Sequence, residues 1–125
     1  MLLALTLASS VLAETSAAPI TRIQDIRKLD RQQAAMAHPV RLTGVVVWQG
    51  EWDFFIHDGS ASIWVSFVPG PGPNMWQGPR PSRDDWRPGS QIMIDGHTDP
   101  GGYAPIVLPS TFVKLGMAPL PAAKR

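Results

Sequence analysis

The sequence predicts a mainly β domain, a closed barrel of five short strands preceded by one or two short N-terminal helices. Three observations predict it. From Val40 to Leu115 the chain carries short β-branched and aromatic runs separated by Gly-, Pro- and Asp-containing turns. The first of these runs is long and holds a glycine, Gly44, at its middle, where a strand bent around a small barrel needs one. Five or six strands can be counted, fewer than the roughly seven of a two-sheet sandwich.

Taken in order, the only helical stretch runs from Thr21 to Ala37. Ile23, Ile26 and Leu29 fall at three-residue steps and share one face. Thr21 is the expected N-cap of this segment. Asp30 followed by Gln33 reads as a capping box for a second short helix over Arg31 to Ala37, which Pro39 ends. The strands follow: Val40 to Trp48, Phe54 to His57, Ser62 to Phe67, Gln91 to Asp95 and Thr111 to Leu115, with Ile106 to Leu108 as a short extended piece. Asp58-Gly59-Ser60 supplies a hairpin turn. Between the third and fourth strands, Pro69 to Gly89 holds six prolines and four glycines. It reads as a long loop with one helical turn near Ser82 to Trp86. A long, bent first strand and a long connection after the third match the OB type of barrel.

Composition bounds the rest. At 125 residues and 44% apolar, the chain suits one domain with a real core. Cysteine is absent, which removes disulfides, thiolate catalysis and Cys-type zinc sites. The net charge is +1, from 11 basic and 10 acidic residues without a like-charge block. Nucleic-acid binders draw most of their affinity from a basic stripe, so a polynucleotide partner is not expected.

Met1 to Ala13 is uncharged and rich in Leu and Ala. Spanning a bilayer takes about 20 apolar residues. The segment therefore reads as a secretory signal peptide over 1–13 with cleavage before Glu14, rather than a membrane anchor. The competing reading is a buried helix. The first basic residue is Arg22, so either Met1 lies inside a longer reading frame or the signal is atypical. Residues 14–19 then form a spacer, 20–116 the folded domain and 117–125 an Ala/Pro-rich tail. The expected location is periplasmic or secreted.

Several short motifs resemble a known family: Ile20 to Leu29, Pro39 to Val47, Phe55 to Ser60, Ile63 to Val65, Trp86 to Gly89, Asp95-Gly96 and Pro119 to Pro121. Their order and spacing resemble the OB-fold modules near the exported N-termini of bacterial sensor histidine kinases and related signalling proteins. The resemblance implies an extracytoplasmic sensory or interaction domain without a settled ligand, whose partner is a small molecule or a protein such as a sensor kinase. The chain departs from it by carrying neither a kinase core nor a transmembrane helix, so it is a stand-alone module or a fragment. It departs again in the length and Pro/Trp content of 69–89.

Candidate binding residues follow from alternation. If Ile63, Val65 and Phe67 point inward, Trp64 points outward; if Phe54 and Ile56 point inward, Phe55 and His57 point outward. Phe55, His57 and Trp64 then share one outer face, able to stack a flat ring unless the N-terminal helices cover it. Trp76 and Trp86 in the loop are interface-type residues that either meet a partner or plug the open barrel end. Asp95, His97 and Asp99 recur at steps of two, but Gly96, Pro100 and Gly101 mark a strand end there, and the three read as ordinary exposed residues. No G-x-S-x-G, phosphate-cradling loop or H-E-x-x-H occurs. The expectation is a non-catalytic binding module without cofactor or metal. The alternatives are a single-stranded nucleic-acid binder and a structural domain of an exported assembly.

Overall fold

β1 (Pro39–Gln49) is the strand around which the sheet closes. Its first half, Pro39 to Val45, pairs antiparallel with β4 (Ser90–Asp99); its second half, Val45 to Gln49, pairs antiparallel with β2 (Asp53–His57). Gly44 stands beside Val45, where the two pairings overlap. A Cβ at Gly44 would stand 2.5 Å from the His57 carbonyl oxygen and 2.9 Å from Ile56 Cγ1, so only glycine lets β2 approach.

The computed structural model describes residues 18–70 and 75–119. The expected signal peptide over 1–13, most of the spacer 14–19 and the tail beyond residue 119 lie outside the described residues. β2 and β3 (Ser62–Ser66) form a hairpin in which Gly59 takes φ 92°. β3 meets β5 (Ile106–Met117) in parallel at Val65 and Val107, and β5 runs antiparallel to β4 along its length. The order β1-β2-β3-β5-β4 returns to β1 and closes the five-stranded sheet into a ring. Two short helices precede it, α1 (Ile23–Arg27) and α2 (Arg31–Ala34).

Leu42, Val46, Phe54, Ile56, Ile63, Val65, Ile92, Ile94 and Val107 fill the ring, and α1 adds Ile23 and Ile26 to the same core. Each is at most 1% exposed, as the alternation of β2, β3 and β4 requires. Trp86 and Phe67 join them. Trp86 sits on a 3-10 turn, Arg83–Trp86, near the place where one helical turn was expected.

Three expectations need correcting. Thr21 does not cap α1: the N-cap position is Arg22, whose side chain makes no cap bond. The cap comes from the β2–β3 turn instead, where Asp58 Oδ2 accepts the Ile23 N–H at 2.8 Å and Ser60 Oγ accepts the Gln24 N–H at 3.2 Å. The capping box of α2 forms as expected between Asp30 and Gln33. That helix stops at Ala34 rather than Ala37, because Thr98 of β4 takes over its end. The buried Thr98 hydroxyl donates to the Ala34 carbonyl and accepts the His38 N–H, both at 2.9 Å, and Ala37 turns to φ 53°. Finally, β4 continues past Asp95 to Asp99, and the two pieces expected around 106–108 and 111–115 are one strand reaching Met117. Bulges at Gln91/Ile92 and Asp95/Gly96 absorb the irregularities that read as strand ends.

Burial works against the charge on Asp58. Hydrogen bonds outweigh it, from the Ser60 hydroxyl at 2.6 Å and the backbone N–H groups of Ile23, Ser60 and Ala61, so the carboxyl is held below its usual range. A depressed folded pKa means that the stabilisation is complete above the unfolded value, near 3.9, and disappears as pH falls through the folded one. Asp58→Asn should therefore cost about 0.5–2 kcal/mol at neutral pH, the range of a lost helix cap. The gap to the native protein should narrow below about pH 4, as read by urea titrations at several pH values.

Candidate functional site

The outer face of β1, β2 and β3 carries a row of aromatic rings. Trp48 is opposite Phe55 and Phe55 is opposite Trp64 in the strand register. Trp48 meets Phe55 edge-on with centroids 5.8 Å apart; Phe55 and Trp64 lie nearly parallel, at 6.2 Å and 19°. These are the cross-strand neighbours that stabilise a sheet, yet the rings stay open to solvent: Trp48 is 50%, Phe55 38% and Trp64 43% exposed. The Trp64 indole N–H donates to Asp53 Oδ2 at 2.8 Å, which fixes the ring on the sheet.

Trp48 was missed by sequence reasoning, and the reason is local. Val40, Leu42 and Val46 point inward, so strict alternation would send Trp48 inward as well. A bulge between Val46 and Trp48 shifts the phase by one residue and turns the ring out.

Beyond Trp64 the row ends in a groove of about 240 Å³. It is lined by Phe55 and Trp64, by the β4–β5 connection from Gly102 to Ile106, and by Arg27 of α1. Tyr103 is fully exposed at the tip of that connection. Both helices position the groove rather than cover it. Arg27 donates from Nη1 to the Ser62 carbonyl at 3.1 Å. Arg31 at the start of α2 donates to the Gly101 carbonyl at 3.0 Å, with the carbonyls of Pro100 and Gly102 at 3.4 Å. One guanidinium thus clamps the turn that walls the groove.

The expected site residues divide. Phe55 and Trp64 come together as alternation requires. His57 faces the same side of β2, but it is half-buried beside the hairpin turn, with its Nδ1 accepting the Gly59 N–H at 3.0 Å, and it does not line the groove. Trp76 is half-buried against Phe67, with centroids at 4.9 Å, and its indole N–H donates to the Pro79 carbonyl. Trp86 is a correction. It is fully buried, 5.7 Å from Phe54 and 5.3 Å from Phe67, with its N–H on the Pro81 carbonyl, so it has no surface to offer a partner. Two of the three loop arginines are engaged as well: Arg80 lies over Trp52 and bonds the Glu51 carbonyl, and Arg83 bonds the Gly50 carbonyl.

No family model matches the chain, and no curated protein matches it. Among solved structures, the hypothetical protein ygiW from E. coli is similar, with a TM-score of 0.51 and 16% identity over 80% of this chain and 92% of that one. At that identity the likeness concerns the fold alone.

Asp95, His97 and Asp99 do share the outer face of β4. Asp95, however, is bonded by Arg41 at 2.7 Å and Thr111 at 3.2 Å, and Asp99 accepts the Gly101 N–H. The Arg41 bond holds the Asp95 carboxyl below its usual range despite some desolvation. Among the described residues no three His, Cys, Asp or Glu side chains are grouped to hold a metal ion. A second hollow, of about 430 Å³, borders Arg41 and Asp58, whose charged groups are already occupied by Asp95 and by the α1 cap. Among the described residues no helix is long and apolar enough to cross a membrane.

Proposed function

We propose that this chain is an OB-type barrel acting as a non-catalytic, extracytoplasmic binding or sensory module, with the Phe55–Trp64 face as its ligand surface. The observation that carries the reading is the open aromatic row ending in a groove. Solvent-exposed rings aligned across three strands are costly to leave bare, and a groove lined by rings with a few convergent polar groups is the usual form of a small-molecule site. The strand order with its parallel β3–β5 closure supports the OB assignment, and in OB barrels the face of strands two and three is the customary ligand surface. Export is supported by the uncharged Leu/Ala segment at 1–13. The resemblance to sensor-kinase modules supports a signalling partner.

The test is backbone chemical-shift mapping against ring-bearing small molecules such as indole, adenosine and glucose. Shifts should cluster at Phe55, Trp64 and residues 102–106. Trp64→Ala should weaken binding by about 1–3 kcal/mol, the worth of one stacked ring. Its stability should fall by no more than about 1–2 kcal/mol, the worth of a cross-strand ring pair and one exposed hydrogen bond. A large fall in melting temperature would make the ring part of the packing. Export is checked separately by fusing a reporter that becomes active only where disulfides form.

A further inference from the structure

We infer that the groove selects a small planar ring bearing a carboxylate, an aromatic acid; this rests on the ligand surface proposed above. Size sets the first limit. The groove holds about 240 Å³, below the range of about 300–1,000 Å³ typical of sites for drug-sized ligands. It suits one ring or two fused rings, not a nucleotide with its sugar and phosphate. Shape sets the second. One wall is the Phe55–Trp64 pair, whose planes differ by only 19°. The Tyr103-to-Ile106 segment lines the same groove, so a flat occupant meets largely apolar surface.

Charge sets the third. Arg27 is the only charged residue lining the groove, and no carboxylate lines it with it. The ion pairs among the described residues are Lys28–Asp25 and Arg41–Asp95, so Arg27 enters none. It has one bond, to the Ser62 carbonyl. A guanidinium has five N–H donors in a planar fork that matches a carboxylate, which leaves donors for a ligand. The Trp64 indole N–H is held by Asp53, so Arg27 is the charged group that a ligand in the groove meets. A carboxylate adds a charge-assisted bond to that cation, which a neutral ring cannot.

The experiment compares four probes by tryptophan fluorescence and shift mapping: benzoate, benzamide, cyclohexanecarboxylate and acetate. Benzoate should bind about two- to fivefold tighter than benzamide, the worth of an ion pair at an exposed site, with shifts at Phe55, Trp64 and residues 102–106, and added salt should weaken it. Arg27→Gln should abolish the preference for benzoate over benzamide while retaining weak ring binding; its melting temperature should be unchanged, since its one bond is at an exposed site. If Arg27→Gln fails to fold, Tyr103→Ala, which removes a ring with no contact to lose, should still weaken benzoate. Equal binding of benzamide and benzoate at this face would overturn the anionic preference and leave the ligand surface standing. Equal binding of cyclohexanecarboxylate would overturn the planar requirement. If no ring compound shifts Phe55 or Trp64, the ligand surface itself falls.

Discussion

Trp86→Ala is expected to remove about 3–5 kcal/mol of stability, the range for emptying a buried aromatic site. Domains of this kind hold about 5–15 kcal/mol in total, so the variant should lose a large fraction of its stability. The magnitude follows from position. Trp86 is fully buried and touches Phe54 and Phe67, which in turn meet Phe112 of β5. One ring therefore packs against β2, the end of β3 and, through them, β5, where the long loop crosses the barrel. Removing it leaves a cavity that cannot collapse without drawing the loop inward, and it deprives Arg83 of the ring face it covers at 5.5 Å. Urea unfolding followed by circular dichroism gives the measurement. The contrast with Trp64→Ala is the useful part, because the two tryptophans differ in burial far more than in chemistry.

Gly44→Ala should be the next largest loss, about 1–3 kcal/mol and possible only with a backbone shift. A methyl group there collides with the His57 carbonyl oxygen and Ile56 Cγ1. A carbonyl cannot rotate away as a flexible side chain can, so β1 and β2 must separate. That separation falls at Val45, the residue that pairs with both His57 and Gln91, and so loosens two seams of the ring at once. Thr43→Ala, at the neighbouring exposed position, should change stability by less than about 0.5 kcal/mol. Amide exchange should quicken selectively around Val45 and His57 in the glycine variant. Uniformly unchanged exchange with native stability would mean that the close approach of β1 and β2 does not depend on Gly44.

Much of the fold was legible because it depends on neighbours along the chain. The period-two patterns of Phe54 to His57 and Ser62 to Phe67 report which side chains are inside, whatever the strands pair with. Asp30 and Gln33 bond each other's backbone within one turn, so their capping box needs nothing from elsewhere. Phe55 and Trp64 could be placed on one face for the same reason. Trp48, by contrast, depends on a bulge created by pairing with β2, and the cap of α1 depends on Asp58, which is 35 residues away from Ile23. The end of α2 depends on Thr98, 60 residues from His38. Gly96 looked like the end of a strand; paired with Pro109 beside a bulge, it lets β4 and β5 run long.

What the order of residues determined alone is a mainly β chain, short helices ahead of it, and an outward Phe55 and Trp64, because alternation and local capping are settled within a few residues. Tertiary structure decided that Trp86 goes to the core, that Trp48 joins the open row, and that Arg27 and the Gly102-to-Ile106 turn meet beside Trp64. These outcomes depend on closing the ring, which brings β3 against β5, seats α1 on the β2–β3 turn and holds α2 against β4 and the turn after it. Contacts between residues so far apart in sequence leave no periodic mark on it; they exist only once the backbone ladder fixes which strands are neighbours.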